Sequence, residues 1–317
     1  MNIFRSFNGA YSKKLKRPTV ISVGNFDGIH KGHQYIFDHL IQVSKINSAH
    51  TTIICFEPQS KEFFEPKAAH TRITPFRDKM LALQSYGIDQ VICIRFTQKF
   101  ADACGSAFIQ KVLVNILHVK HVVVGEDFRF GRNRESDSDL LANLAQKYGF
   151  LIDNMRHYCQ NYNRISSSQI RILLQNNEFD QVSQLLGRPY TLSGRIHHGS
   201  EIGRSLGFPT INIPITVNIP LSGVYVVRIH CKNKQYFGMT NIGIRPTVGG
   251  TKKLLETHIF KFNHEIYRQH VKITFLAFIR PEKKFYGINA LTIQIRKDRI
   301  SAYDWINKYQ NKRDLKN

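Results

Sequence analysis

The sequence predicts two domains: an α/β domain on an open parallel sheet with helices on both faces, then a small all-β domain that ends in a helix. Over about the first 150 residues, β-branched runs alternate with segments of helical spacing, the pattern of successive βαβ units. Beyond Leu186, glycine and proline cut the chain into short apolar runs, the pattern of a small sandwich or barrel. The length, 317 residues, is long for one domain and short for three.

Each element follows from its residues. Thr19–Val23 is an apolar run closed by a glycine turn, the first strand. From His33 to Lys45, Ile36/Leu40 and Phe37/Ile41 recur at i,i+4 and share one helix face. Thr51–Phe56, Val91–Phe96, His121–Gly125 and Phe150–Asn154 are further strands, and Phe108–Leu117 and Ser138–Tyr148 carry helical spacing. After the boundary at Leu186–Pro189, turn residues from Gly194 to Gly223 precede strands at Val224–Ile229, Tyr236–Met239, Glu256–Phe260 and Val271–Phe275. Leu291/Ile295 and Ala302/Trp305/Ile306/Tyr309 form an amphipathic stripe, so a terminal helix packs on the β domain. The predicted domains are 1–186 and 187–317.

Composition narrows the class. Hydrophobic residues at 42% and charged residues at 21% exclude a disordered or collagen-like chain. No apolar run approaches the ~20 residues of a membrane-spanning helix, and Met1–Pro18 lacks a signal peptide's apolar core. Five scattered cysteines without a CxxC pair argue against structural zinc and disulfides and suit a reducing cytoplasm. The net charge of +22 attracts polyanions, but the basic residues are dispersed and no nucleic-acid-binding signature occurs. Small-molecule substrates are therefore expected, with no specific nucleic acid and no membrane.

The segment Gly24-Asn25-Phe26-Asp27-Gly28-Ile29-His30-Lys31-Gly32-His33 joins the first strand to the first helix. The strand end of a parallel sheet is where α/β folds bind ligands. Glycines let backbone approach a phosphate, and a helix N-terminus supplies free N–H groups. Neither a Walker A loop nor a dinucleotide fingerprint is present. Downstream, Gly125-Glu126-Asp127-Phe128-Arg129-Phe130-Gly131 follows another strand, and Ser166-Ser167-Ser168-Gln169-Ile170-Arg171 puts hydroxyls at a helix start with a phosphate-clamping Arg171 after them.

The first segment resembles the HxGH signature of nucleotidylyl transferases. In its longer form it resembles the prokaryotic bifunctional riboflavin kinase/FAD synthetase family, as do the other two stretches. The resemblance implies that His30, His33, Ser166, Ser167 and Arg171 stabilise the ATP phosphates during adenylyl transfer. Gly24, Asn25, Phe26, Asp27, Gly28 and Gly32 would cradle them, and Gly125, Asp127, Phe128 and Phe130 would border the flavin. Departures from the family pattern are Ser168 for Thr, Gln59-Ser60 in a loop that usually reads His-Pro, Glu135 for Gly, and Asn177-Glu178 for Gly-Asp. None touches the phosphate motifs.

The second half holds another glycine-dense loop, with Gly199, Gly203, Arg204 and Gly207 ahead of Phe208-Pro209-Thr210-Ile211-Asn212. Such a loop wraps phosphates with backbone amides. Thr210 and Asn212, at i and i+2 of a strand, face one side and can offer oxygens to one Mg²⁺. The stretch resembles the riboflavin kinase motif, with Ile211 where Ala is usual. Asn241 and Arg245, in Asn241-Ile242-Gly243-Ile244-Arg245-Pro246-Thr247, resemble a flavin-side segment, and Glu256 matches the kinase's catalytic glutamate. Arg268 replaces a usual Gly.

The resemblance implies a Rossmann-like nucleotidylyl transferase domain followed by a six-stranded kinase β-barrel with a C-terminal helix. It implies an enzyme that phosphorylates riboflavin to FMN with ATP, then adenylylates FMN to FAD with release of pyrophosphate. Alternatives are a chain retaining one activity, a different nucleotidylyl transferase, or a flavin- or RNA-binding protein on the same scaffold.

Overall fold

The computed structural model describes residues 1–5, 17–65, 71–160, 162–198, 203, 206–247 and 250–314. Its contacts divide the chain into two compact units: Met1–His70 with Lys79–Ser167, and Thr71–Asp78 with Ser168–Asn317.

The first unit is built on six parallel strands: β1 (Asn2–Phe4), β2 (Thr19–Val23), β3 (His50–Glu57), β4 (Gln90–Arg95), β5 (Val119–Gly125) and β6 (Leu151–Met155). Their order is β1-β4-β3-β2-β5-β6. β2 is buried along its whole length, as a central parallel strand covered on both faces should be. Ile21, Val23, Ile54, Ile92, Val122 and Val124 join one core with Leu113, Leu117 and Leu141. On the other face α1 (Lys31–Ile46) lies against β2, β3 and β5 and buries Phe37 and Leu40. Each such side chain contributes ~1.5–3 kcal/mol of burial. The chain runs from β2 towards β3 on one side and returns to β5 on the other. The order therefore reverses between β2 and β5, and a ligand crevice is expected where Gly24 and Gly125 end those strands.

The second unit is an antiparallel six-stranded sheet: β9 (Thr191–Arg195), β10 (Thr210–Ile215), β11 (Gly223–Cys231), β12 (Lys234–Thr247), β13 (Gly250–Ile259) and β14 (His270–Arg280). Its order is β10-β13-β12-β11-β14-β9. The His197 N–H donates to the Asn212 carbonyl at 2.8 Å, so the chain beyond β9 meets β10 and nearly closes a barrel. The terminal helix, Ile288–Asp314, buries Ala302 and Ile306 against Phe208, Val226, Met239 and Phe260. Arg280 grips Asp298 on that helix with both fork nitrogens, Nε–Oδ1 and Nη2–Oδ2 each at 2.8 Å.

Several elements were not visible in the sequence: β1, β9, a helix at Phe76–Ser85, and a hairpin of β7 (Cys159–Gln160) with β8 (Asn163–Arg164). The expected helix at Phe108–Leu117 forms as Gly105–Phe108 running into a π-helix at Ile109–Val114. By contacts the division falls at Ser167, ahead of the expected boundary near Leu186. The reason is aromatic: Phe179, on the helix Phe179–Leu186, stacks on Phe275 at 6.0 Å and meets Tyr225 edge-on at 5.8 Å.

Candidate active sites

In the first unit the chain leaves β2 through a contorted loop. Phe26 (φ 46°), Gly28 (φ 89°) and Ile29 (φ 44°) all adopt left-handed backbone. Such residues cost about 1–3 kcal/mol each when not glycine, and such strain clusters at functional sites. The contortion turns His30 into the N-cap of α1, where its Nδ1 accepts from the His33 N–H at 3.4 Å. An accepting Nδ1 leaves Nε2 to carry the proton of the neutral ring. The His30 and His33 rings stack at 3.7 Å and 20°. Gly32 makes the stack possible, since a Cβ there would lie 3.1 Å from His30 Nδ1. The Ser167 hydroxyl donates to the Asp27 carbonyl at 2.9 Å, which ties the loop to Ser167. Ser166 directly precedes it.

Beside this loop lies a cavity of about 450 Å³, large enough for a multi-ring ligand. Gly24, Asn25, Asp127, Phe128 and Phe130 line it, so the two expected motifs meet at the switch point. Phe128 and Phe130 stack at 5.2 Å and 18°. The Asp127 carboxylate is bound by Arg164 and, at 3.2 Å, by His157. Burial pushes its pKa up, but the Arg164 hydrogen bond and charge, then His157, outweigh it and hold the carboxyl below its ordinary range. Sequence reasoning missed the rest of the wall: Phe56, Phe64, Phe96, Phe100 and Phe108, with Ser60 and Lys61. They come from separate segments with no common motif. Arg171 is not brought into this unit. It groups with the second, where its Nε donates to the Thr71 carbonyl at 2.6 Å.

In the second unit, strand register assembles the site. Glu256 on β13 stands opposite Asn212 on β10 and Asn241 on β12. Directly paired residues share a face, so Glu256 is flanked by two amides. Its backbone is fixed from behind: Thr257 Oγ1 donates to Thr240 Oγ1 at 2.8 Å, which donates to the Glu256 carbonyl at 3.1 Å. A cavity of about 280 Å³ opens over this face, lined by Gly203, Thr210, Asn241, Glu256, His258 and Arg280. Thr210 also lines an adjoining cleft, and Asn212 lines that cleft rather than the cavity over Glu256. Asn212 is 5% exposed, and its Oδ1 has no hydrogen-bond partner among the described residues. A buried, unsatisfied oxygen two residues from a threonine hydroxyl fits a hard cation such as Mg²⁺. The Phe208 N–H returns to the Gly203 carbonyl at 2.7 Å, and a Cβ on Gly203 would lie 2.5 Å from the Phe208 oxygen, so only glycine fits this turn. Gly207, at φ 80°, needs glycine for its backbone. His258 Nδ1 contacts the Pro209 carbonyl at 2.9 Å, which holds the residue before Thr210. Burial presses the imidazole below its ordinary 6.5, against the Pro209 carbonyl and with help from Arg299. Gly199 and Arg204 lie outside the described residues. Arg245 is placed only by its backbone, opposite Lys252.

Two family models match this chain: FAD synthetase over residues 12–169 and riboflavin kinase over residues 186–306. A curated bifunctional riboflavin kinase/FMN adenylyltransferase of Haemophilus influenzae is 37% identical, over 97% of this chain and 100% of its own. One from Buchnera aphidicola subsp. Schizaphis graminum is 40% identical, over 90% of this chain and 93% of its own. The chain belongs to the bifunctional riboflavin kinase/FMN adenylyltransferase family. Both catalytic domains of that family are present. A solved Streptococcus pneumoniae protein, titled a macrolide-efflux protein, is similar over 96% of this chain and 100% of its own, with TM-score 0.77 and 25% identity. Among the described residues, no helix is long and apolar enough to cross a membrane.

Proposed function

We propose that this chain converts riboflavin to FMN in its second unit and FMN to FAD in its first, drawing on ATP twice. The supporting observation is that each unit holds its own cavity, lined by its own motif residues. The functional division we adopt is 1–186 and 187–317, with the cytoplasm as the working compartment, which five free cysteines suit.

For the kinase step, Glu256 accepts the proton of the ribityl 5′-hydroxyl as that oxygen bonds to the γ-phosphorus of ATP. The bond from the γ-phosphorus to the bridging oxygen breaks, and ADP leaves. Asn212 and Asn241 hold the carboxylate's surroundings, while Gly199, Gly203, Arg204 and Gly207 receive the phosphates. Asn241 contacts the flavin, and Arg245 is assigned to the same role by its motif. Thr210 and Asn212 would hold Mg²⁺, which when bound neutralises phosphate charge.

For the adenylyl step, a phosphate oxygen of FMN bonds to the α-phosphorus of ATP and pyrophosphate leaves, with no covalent enzyme intermediate. The His30–His33 pair and the positive end of the α1 dipole stabilise the charge that develops. Ser166 and Ser167 add donors to the phosphates. The aromatic cavity holds the isoalloxazine.

His30→Ala should cut FAD formation from FMN by about 10²–10³-fold and leave FMN formation from riboflavin intact. Glu256→Gln should do the reverse. Product analysis by chromatography reads both, and equal loss of both activities in either variant would sink the division of labour.

A further inference from the structure

The least expected side chain of the first unit is Lys79. It is 0% exposed, on a helix whose buried residues are otherwise Met80 and Leu83. Its Nζ makes one hydrogen bond, to the Asn25 carbonyl at 2.7 Å, and among the described residues it has no ion pair. Buried ammonium groups are normally paired, because desolvation costs several kcal/mol per ion. Nothing in the packing of this helix calls for a charge. A methionine would fill the same volume.

The charge is felt locally. Cys55 and Cys93 lie side by side on β3 and β4 and share a hydrogen bond. That bond is the largest influence on both thiols, and the Lys79 charge pulls both towards lower pKa.

The group that receives the Lys79 proton matters more. Asn25 is the second residue of the loop that ends in the histidine pair, and it lines the aromatic cavity. In a trans peptide the carbonyl and the following N–H point in opposite directions. With the Asn25 carbonyl held by Lys79, the Phe26 N–H is aimed away from the lysine. That N–H makes no hydrogen bond among the described residues. Phe26 itself is locked at φ 46°, with its ring edge-on to His33 at 5.2 Å.

We propose that Lys79 is a positioning residue for adenylyl transfer: it fixes the Asn25–Phe26 peptide and supplies a buried positive charge that offsets the negative charge growing on the ATP phosphates in the transition state. The proposal rests on the adenylyltransferase reading above. It accounts for an unpaired charge in a core, since the compensating anion belongs to the substrate.

The test uses the full chain and the variant Lys79→Met. Removing an unpaired buried charge in favour of an apolar chain of similar length should hold or raise the melting temperature. Formation of FMN from riboflavin should be unchanged. Formation of FAD from supplied FMN should fall by about 10²-fold in kcat, with the KM for ATP within about threefold, because the loss is felt in the transition state. Lys79→Arg, which keeps charge and donor, should recover activity to within about tenfold of wild type. An unchanged rate of FAD formation in Lys79→Met overturns the proposal alone. So does a variant that unfolds or loses kinase activity in parallel, which would make Lys79 a structural strut. A wild-type protein that forms FMN but no FAD overturns the adenylyltransferase reading, and the proposal with it.

Discussion

Single atoms decide the chemistry at both sites. Gly32 has no special backbone angle. Its hydrogen is needed because a methyl would stand 3.1 Å from His30 Nδ1 and 3.2 Å from Cε1. Gly32→Ala should therefore displace the His30 ring by a few tenths of an ångström and slow FAD formation by about 10–10²-fold. Helix propensity should rise by roughly 0.5–1 kcal/mol, so melting temperature and activity move in opposite directions. Thermal melts beside FMN-to-FAD kinetics check this, and an active Gly32→Ala would deny the ring stack any role. His258 gives a pH dependence. Its folded pKa is held below 6.5, first by burial and then by Arg299, with the Pro209 carbonyl opposing. Between the folded and unfolded values the unfolded chain binds more protons, so stability is full above about 6.5 and is lost progressively as pH falls from there through the lower folded value. His258→Asn keeps a donor for the Pro209 carbonyl without the titration. Melts across that range should show a shallower acid loss in this variant than in wild type.

At the scale of elements, legibility followed local signal. Thr19–Val23 and Ser138–Tyr148 form where their patterns place them, because uninterrupted apolar runs and helix-period stripes report burial directly. The helix Phe76–Ser85 was hidden by its composition: a lysine occupies the buried stripe beside Met80 and Leu83 and breaks the apolar period. β1 was hidden by shortness, three edge residues paired only with β4. The HxGH and Thr210–Asn212 motifs were legible because their chemistry needs fixed spacings in one segment. The aromatic wall from Phe56 to Phe108 was not, because its members converge only through the sheet. One contact between elements carries a stability prediction. Asp298 is 3% exposed and held by Arg280 and by Gln294 Nε2 at 2.8 Å. Arg280→Met should destabilise the barrel by about 3–5 kcal/mol, since it strands a buried carboxylate. Adding Asp298→Leu should restore most of that loss, as read by denaturant midpoints.

At the scale of the molecule, two units each carry a cavity and a glycine turn, and in this family the product of one reaction is the substrate of the other. The family models cover both halves, and relatives align over at least 90% of the chain. The cavity of the first unit lies at a strand-order reversal, where open parallel sheets bind ligands. In the second, Asn212, Glu256 and Asn241 form one row of cross-strand neighbours. Such sites need no shared residue, so the two reactions are separable. The most direct test is a time course of the wild-type protein with riboflavin, ATP and Mg²⁺, resolved by chromatography. A two-step route predicts FMN rising first and then giving way to FAD. FMN that accumulates without FAD, or riboflavin that stays unconverted while supplied FMN also stays unchanged, would contradict it.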